Sequence, residues 1–542
     1  MRWLLPMLAL ACVQDGEPVP PEPEVPVDTE VDTETPEEPL NYTVTSVQTA
    51  CETPELRNAA IFDVVNSPAF DLDVTRRLEG GGLTVADFDA DGRLDVFLPG
   101  SVGFQLQMQH EPMVFTEEGA DRITADLSRA AAASAVDYDA DGDLDLFVVR
   151  FGEPNVMLAN DGDGVFTDVT ASTGITGVHR SQSSSWGDMD GDGDLDLAIG
   201  NYGPRPEDAF ADEDAFEVSD PSQLWENLGD GTFVDRSDLL PQRLHDAHTF
   251  MTSWLDVDND GDQDLLYIND FGWARPSALL WNDDGVLRLD DGGAGIAADF
   301  AGMGLGVGDI NGDELPDFVQ SSWKEISLLV SAGGFWVESA TAKGLVPRFD
   351  APPDQLFGWG AELGDIDNDG DSDALVNFGY WDEYAPIFRQ TDGVFLQDDV
   401  GLFADASIAF GLNDTAASRG LLLVDINDDG HLDVLKRRLG ESTPMHVSRC
   451  SNKHWLRVRP RMADGPNPFA VGARVRFVAG DRVWSRSVHA GSTSMYSAGP
   501  PEVHVGLDDL ARVDRIEVLW PNGEVSVMED VTADQVLDIT LQ

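Results

Sequence analysis

Cysteine is nearly absent from these 542 residues: Cys12, Cys51 and Cys450 are the whole complement, with no C-x-x-C pair. That excludes a zinc ribbon and a thioredoxin-type redox centre. Basic residues are scarce, 33 Lys plus Arg against 100 Asp plus Glu, for a formal net charge of -67. A surface so acidic repels nucleic-acid phosphates and anionic lipid, so neither is a partner. Long apolar runs are missing apart from Trp3 to Ala11, which is too short to span a bilayer. H-E-x-x-H, G-x-S-x-G and Walker motifs are also missing, so no catalytic constellation stands out. What the chain does have is 13 Trp, 26 Phe and acids gathered into clusters, the composition of a folded cation binder rather than a disordered acidic chain.

The first residues carry one charge, Arg2, then the apolar run, then Ala9-Leu10-Ala11-Cys12. This resembles an export signal ending in a bacterial lipobox and predicts lipidation at Cys12, with residues 1–12 as the signal. Residues 13–51 read as a disordered, acidic, Pro-rich stalk. Such a protein is secreted or sits in the cell envelope, as a bacterial outer-membrane lipoprotein at the surface or in the periplasm. It touches membrane only through Cys12 and is expected to be a monomer.

Between about residues 52 and 450 one unit, D-x-[DN]-x-D-[GE]-x-x-D, recurs seven times at spacings that point to a propeller or solenoid. A large apolar residue precedes each copy: Phe62, Phe115, Phe166, Phe233, Leu287, Trp336 and Phe395. Small residues lie before each loop, as in Ala131 to Ala135 and Gly302 to Gly308. Short β-type runs follow, as in Leu146 to Val149. Inner propeller strands crowd the axis and need small side chains, while the next strand out carries bulky ones. The predicted fold class is therefore all-β, a seven-bladed β-propeller over 52–450. An N-terminal strand at Phe62 would complete the last blade and leave no open edge. That closure brings Cys51 towards Cys450 and predicts a disulfide between them.

The tail, 451–542, has 10 basic and 12 acidic residues against 23 and 88 in the rest, and this break marks a small C-terminal β domain. Residues 203–222, acidic and interrupted by Pro204, Pro206 and Pro221, form an exposed insertion.

The repeated unit is a ring of oxygens. In the first loop the candidate metal ligands are Asp87, Asp89, Asp91, Arg93 and Asp95; in the second, Asp137, Asp139, Asp141, Asp143 and Asp145. The third offers Asp188, Asp190, Asp192, Asp194 and Asp196, and the fourth Asp256, Asp258, Asp260, Asp262 and Asp264. The fifth offers Asp309, Asn311, Asp313, Leu315 and Asp317, and the sixth Asp365, Asp367, Asp369, Asp371 and Asp373. The seventh offers Asp425, Asn427, Asp429, His431 and Asp433. Positions 1, 5 and 9 are always Asp, while position 7 varies freely because only its backbone carbonyl is needed. An all-oxygen, carboxylate-rich shell suits calcium, up to seven ions, better than magnesium. Unneutralised, such carboxylates repel by roughly 1 kcal/mol per pair at about 4 Å even in water. Position 12 of the second loop is Val148, not Glu, so these are not EF-hands. Glu314 in place of the turn glycine makes the fifth loop the irregular one. His245 and His248 lie near a metal loop, but no third ligand accompanies them.

On these motifs, with Phe151-Gly152 and Phe378-Gly379, the 52–450 region resembles the FG-GAP/VCBS repeat propeller, similar to the integrin α head. Asn452-Lys453-His454-Trp455-Leu456, Gly472-Ala473-Arg474-Val475, His504-Val505-Gly506-Leu507 and Val518-Leu519-Trp520-Pro521-Asn522-Gly523 resemble the ASPIC/UnbV domain. The pair is similar to the cartilage acidic protein 1-like architecture. The resemblance implies calcium on hairpin loops and extracellular binding. The expected function is a non-catalytic surface protein that binds another protein or a polysaccharide, with calcium stiffening the loops. An extracellular polysaccharide lyase or hydrolase, or a purely structural envelope component, is the alternative.

Overall fold

The computed structural model describes residues 41–49, 62–66, 81–203, 219–296, 301–347, 355–380, 389–413, 415–439, 441–491 and 494–542. The expectations for Cys12, Cys51, residues 13–40 and most of the 203–222 insertion lie outside the described residues.

The chain folds into successive four-stranded antiparallel sheets, the all-β, multi-repeat propeller-like architecture that the loop spacing predicts. One sheet illustrates the pattern. Ala130–Val136 pairs with Asp145–Glu153, which pairs with Val156–Asn160, which pairs with Phe166–Asp168. The aspartate loop 137–145 joins the first two strands, and its last aspartate, Asp145, is the first residue of the second strand. The same holds for Asp95, Asp196, Asp264, Asp317, Asp373 and Asp433. The last sheet runs Ser418–Val424, Asp433–Arg438, Pro444–Ser448 and then Phe62–Asn66, so a strand from the chain's beginning closes it.

Small residues fill the first strands Ala130–Val136 and Gly302–Gly308, where neighbouring first strands nearly touch. The expectation does not extend to every repeat: His248–Leu255 carries Phe250, Met251 and Trp254, and Ser418–Val424 carries Arg419 and three leucines. A Cβ on Gly304 would lie 2.0 Å from the Trp359 carbonyl oxygen, and one on Gly306 would lie 2.7 Å from the Glu362 carbonyl carbon. A side chain at Gly304 or Gly306 would push the adjoining strand Gly358–Gly364 away, whereas Met303, Leu305 and Val307 alternate with them.

The apolar markers open or occupy outer strands at Phe115, Phe166, Phe233 and Trp336, and Leu287 directly precedes the outer strand Arg288–Leu289. The sixth repeat differs from the others. Phe395 lies one strand further in, in Gly393–Gln397, and Phe403 opens the outer strand Phe403–Asp405.

A distinct C-terminal β subdomain follows, built from two four-stranded sheets. One is Arg482–Ser487, Arg474–Ala479, Arg512–Leu519 and Val525–Thr532. The other is Tyr42–Gln48, Gln535–Leu541, His454–Met462 and Val503–Asp508. Residues 42–48, read above as the end of the stalk, are thus an edge strand of this subdomain, with Tyr42 opposite Leu541 and Gln48 opposite Gln535. Tyr42 and Val44 pack on its core of Leu456, Phe477, Val505, Ile516 and Ile539.

The subdomain also sends one segment in among the first strands. Ala490–Gly491 pairs with Ser185 and Trp186, and Ser497–Ala498 pairs in parallel with Leu83 and Thr84. Met495 and Tyr496, both fully buried, join the largest hydrophobic cluster of the repeats. The Tyr496 hydroxyl bonds Gln182. Met495 and Tyr496 pack as core residues, so this segment is held by apolar burial as well as by strand pairing.

Candidate metal centres

Each aspartate loop is wound by its own carboxylates. In the second loop, Asp137 Oδ1 accepts the Asp141 N–H at 3.2 Å and Oδ2 accepts the Gly142 N–H at 3.0 Å. Asp141 Oδ1 accepts the Asp143 N–H at 3.1 Å, and Asp145 accepts the N–H groups of Tyr138 and Asn160 at 3.3 and 2.8 Å. Position 6 takes a left-handed conformation, φ 96° at Gly142, which turns the chain so that positions 1, 3 and 9 converge.

The convergence is tight. One oxygen each from Asp87, Asp89 and Asp95 lies within 4.8 Å of the others, as do those of Asp137, Asp139 and Asp145. The same is true of Asp188, Asp190 and Asp196, and of Asp256, Asp258 and Asp260. Asp89 Oδ1 is buried without a hydrogen-bond partner, an oxygen that only a cation or water at the centre can satisfy. Burial first, and neighbouring carboxylates second, push these acids far up. Asp87 rises to about 6, Asp137 to about 7 and Asp145 to about 9. Hard oxygen donors, crowded negative charge and an unsatisfied oxygen fit calcium.

The position-7 residues Arg93, Asp143, Asp194, Asp262, Leu315, Asp371 and His431 do not share one side-chain role. Arg93 turns away to pair with Asp91 and to donate from Nε to the Gln109 carbonyl at 2.8 Å. His431 is buried and faces Ser451 at 3.1 Å. Asn311 and Asn427 each donate from the side-chain amide to a position-5 carboxylate of their own loop at 3.1 Å, and Asn311 also donates to the Ser331 carbonyl at 3.0 Å. The fifth loop is less irregular than its sequence. Glu314 adopts φ 69° and its N–H bonds Asp309 Oδ2 at 2.9 Å, the bond made by the turn glycine elsewhere. Its carboxylate is used by the C-terminal subdomain, where Arg476 clamps it at 2.6 and 2.9 Å. His248 is a core histidine: it lies edge-on to the rings of Tyr202 and Phe271, and burial pushes it down to about 4.

Sequence reading missed the groups that the subdomain brings to the loops. Arg457, fully buried, meets Asp425 at 2.9 Å and also pairs with Asp428 and Glu502. Trp484 Nε1 donates to the Gly370 carbonyl at 2.8 Å, and His504 Nε2 lies 3.0 Å from the Gly430 carbonyl. Both carbonyls belong to position 6. Gly506 shows why that motif residue carries no side chain: a Cβ there would lie 2.1 Å from Asp365 Oδ2.

At the opposite ends of the same strands lies an aromatic group. Trp273 follows Asp264–Asp270 and is 57 % exposed. Its ring is 5.4 Å from Phe271 and 6.3 Å from Trp323, which stacks on Phe357 at 5.9 Å.

Comparison with known proteins places these features. The family described as "ASPIC and UnbV" matches residues 463–542, and the FG-GAP-like repeat family matches residues 137–199. Cartilage acidic protein 1 of Xenopus tropicalis is 26% identical over 186 residues, 33% of this chain and 26% of that protein. The human protein of the same name is 24% identical over the same shares. The match thus spans about a quarter of the length of these relatives. Among solved structures, BBS1N in complex with ARL6DN has a TM-score of 0.45 at 8% identity, covering 73% of this chain and 99% of that one. Saccharomyces cerevisiae Sqt1 has a TM-score of 0.42 at 10% identity, covering 73% and 100%.

Proposed function

We propose that this chain, a cartilage acidic protein 1-like family member with FG-GAP-like repeats and a C-terminal ASPIC and UnbV domain, is a non-catalytic extracellular binding protein stiffened by calcium. The observation that carries the calcium half is the set of converging carboxylates, with Asp89 Oδ1 left unsatisfied at a loop centre. The proposal includes seven blades, one aspartate loop in each and up to seven ions. Four-stranded sheets repeated along the chain, and the closing strand Phe62–Asn66, support that count. Calcium would be held by the carboxylates at positions 1, 3, 5 and 9 and the carbonyl at position 7. It would neutralise charge that the fold otherwise carries unpaired.

Export, a lipid anchor at Cys12 and a Cys51–Cys450 disulfide belong to the same proposal. Cys450 is disulfide-bonded, which supports the last of these. A secreted or surface-held monomer follows.

The partner is a protein or a polysaccharide. The C-terminal subdomain engages the fifth, sixth and seventh aspartate loops. The opposite end of the strands carries the exposed Trp273 within an aromatic group, and that aromatic end is the proposed partner surface. Two experiments test this reading. Metal analysis after dialysis against calcium should find several ions per chain, and fewer than one overturns the calcium half. A glycan array and an extracellular-protein array should give hits that Trp273→Ala removes. Hits that survive Trp273→Ala place the partner elsewhere.

A further inference from the structure

The seven loops are joined to one another by buried side-chain amides. Asn160 shows the device. Its main-chain N–H holds Asp145 Oδ1 of the second loop at 2.8 Å. Its Nδ2 donates at once to Leu144 O of that loop at 2.9 Å and to Phe88 O of the first loop at 2.8 Å. Asn227 does the same between the third loop and the second, reaching Leu195 O at 3.3 Å and Tyr138 O at 2.9 Å. Asn282 joins the fourth loop to the third, reaching Gln263 O at 3.1 Å and Met189 O at 2.9 Å.

Gln109 closes the circle, donating to Leu94 O of the first loop at 2.9 Å and to Ile426 O of the seventh at 3.2 Å. Gln397 reaches from the sixth repeat to Ile310 O of the fifth loop at 2.7 Å, while its N–H holds Asp373 Oδ1 at 2.9 Å.

Two junctions lack such a residue, because Ser331 and Ser448 stand in its place. Their N–H groups hold Asp317 and Asp433, and the Ser331 hydroxyl donates to Asp313 of its own loop at 2.6 Å, but neither carries an amide. There a different amide spans the gap. Asn259, at position 4 of the fourth loop, donates to Glu314 O of the fifth at 2.8 Å. Asn368, at position 4 of the sixth, donates to Gly430 O of the seventh at 3.1 Å. Every neighbouring pair of loops is therefore bridged, and the bridges form a closed ring.

We infer that this amide ring couples the loops, so that calcium entering one loop raises the affinity of its neighbours. The inference rests on the calcium reading above. The bridging amides contact the carbonyls of positions 2, 6 and 8, which flank the metal ligands and move when a loop orders. A buried amide whose acceptor moves away is left unpaired, so the order of each loop is felt by both its neighbours. The coupling is reciprocal and travels through these hydrogen bonds, and the asparagines and glutamines act as positioning residues. Replacement of the missing bridges by amides from another position argues that the links themselves are needed.

The test is a calcium titration of the full chain followed by hydrogen-exchange mass spectrometry on loops 137–145 and 188–196. In the unaltered protein both loops should gain protection at one calcium midpoint, with a Hill coefficient above 1. In Asn227→Ala the two midpoints should separate, with the affinity of at least one loop falling by about fivefold or more. Asn227→Gln should restore part of the coupling, since Gln109 and Gln397 serve the same role. If Asn227→Ala does not fold, Asn259→Ala, which cuts a single half-buried bridge, is read on the fourth and fifth loops instead. Protection with separate midpoints in the unaltered protein, or midpoints unchanged by the substitution, overturns the coupling and leaves calcium binding standing. No calcium-dependent protection in any loop overturns both.

Discussion

Loops of nearly one sequence live in two environments. No residue of 365–373 or 425–433 is exposed, whereas each of the first five loops exposes its tip. The difference is the C-terminal subdomain, which seats Trp484 and Arg482 on the sixth loop and Arg457 and His504 on the seventh. Burial pushes the first aspartate up to about 8 in the sixth loop, against about 6 in the first, third and fourth, with the second and seventh both at about 7. It pushes Asp373 and Asp433 well above the usual carboxylate range. One motif thus does two jobs. In the open loops it stiffens a hairpin. In the covered pair the wound loop is also a docking surface, and in the seventh loop Arg457 pairs with Asp425 and Asp428.

The strongest way to break this comparison is to remove Arg457. It is buried against Asp425 and Glu502, so Arg457→Ala leaves carboxylates uncompensated inside the interface. The expected loss is about 3–5 kcal/mol in urea unfolding of the calcium-loaded protein. A loss below about 1 kcal/mol would mean that calcium alone supports the seventh loop.

Next in size is pH. In the calcium-free protein the loop acids have folded values raised from 3.8, to about 7 for Asp95 and about 9 for Asp145. Their contribution is fully present below about pH 4 and is lost as pH rises through about 7 to 9, because the unfolded chain ionises them more easily. Calcium-free protein should therefore melt lower at pH 8 than at pH 5. Calcium-loaded protein should show the opposite trend, since binding needs ionised ligands. Parallel melts at both pH values decide it; a calcium-free melt independent of pH contradicts the buried carboxylates.

Exchange kinetics sharpen the comparison. Mixing calcium-loaded protein with a fluorescent chelator should release calcium in two phases, the larger and faster from the exposed loops and the slower from the sixth and seventh. A single phase would show that cover by the subdomain does not control exit.

The smallest effect belongs to Glu314→Gly. It removes the clamp from Arg476 but relieves a non-glycine residue at φ 69°. Each change is worth about 1 kcal/mol with opposite sign, so the net shift should stay within about 1 kcal/mol. A large loss would make the fifth loop a main anchor of the subdomain.

Much of this architecture was written in short-range pattern. Asp at positions 1, 5 and 9 marks every loop, and the short apolar run after it marks the second strand, while small residues mark the inner strand only in some repeats, as in Ala130–Val136 and Gly302–Gly308. Long-range pairings left fainter marks. Tyr42–Gln48 follows an acidic, Pro-rich stretch and alternates only weakly, so its place beside Gln535–Leu541 was invisible. Phe395 and Phe403 are equally apolar, and only register tells which strand is outermost. Glu314 reads as a defect until its partner, 162 residues away, is seen. Asn160 stands in the sequence Asn160-Asp161-Gly162-Asp163-Gly164, which signals a tight turn, but its two acceptors lie 16 and 72 residues back in the chain. Arg457, Trp484 and His504 sit in a tail that looks nearly neutral and gives no sign of facing aspartate loops.

The central claim is that calcium in the loops holds the whole fold together. Its most direct test is the thermal melt of the full chain across calcium concentrations, with a chelator as the zero point. A single site at a hundred times its dissociation constant adds about 2.7 kcal/mol, so several linked sites should move the midpoint on the order of 10 °C or more. The account predicts a midpoint that climbs steeply with calcium and falls back when chelator is added. A melt that chelation leaves unchanged would contradict it.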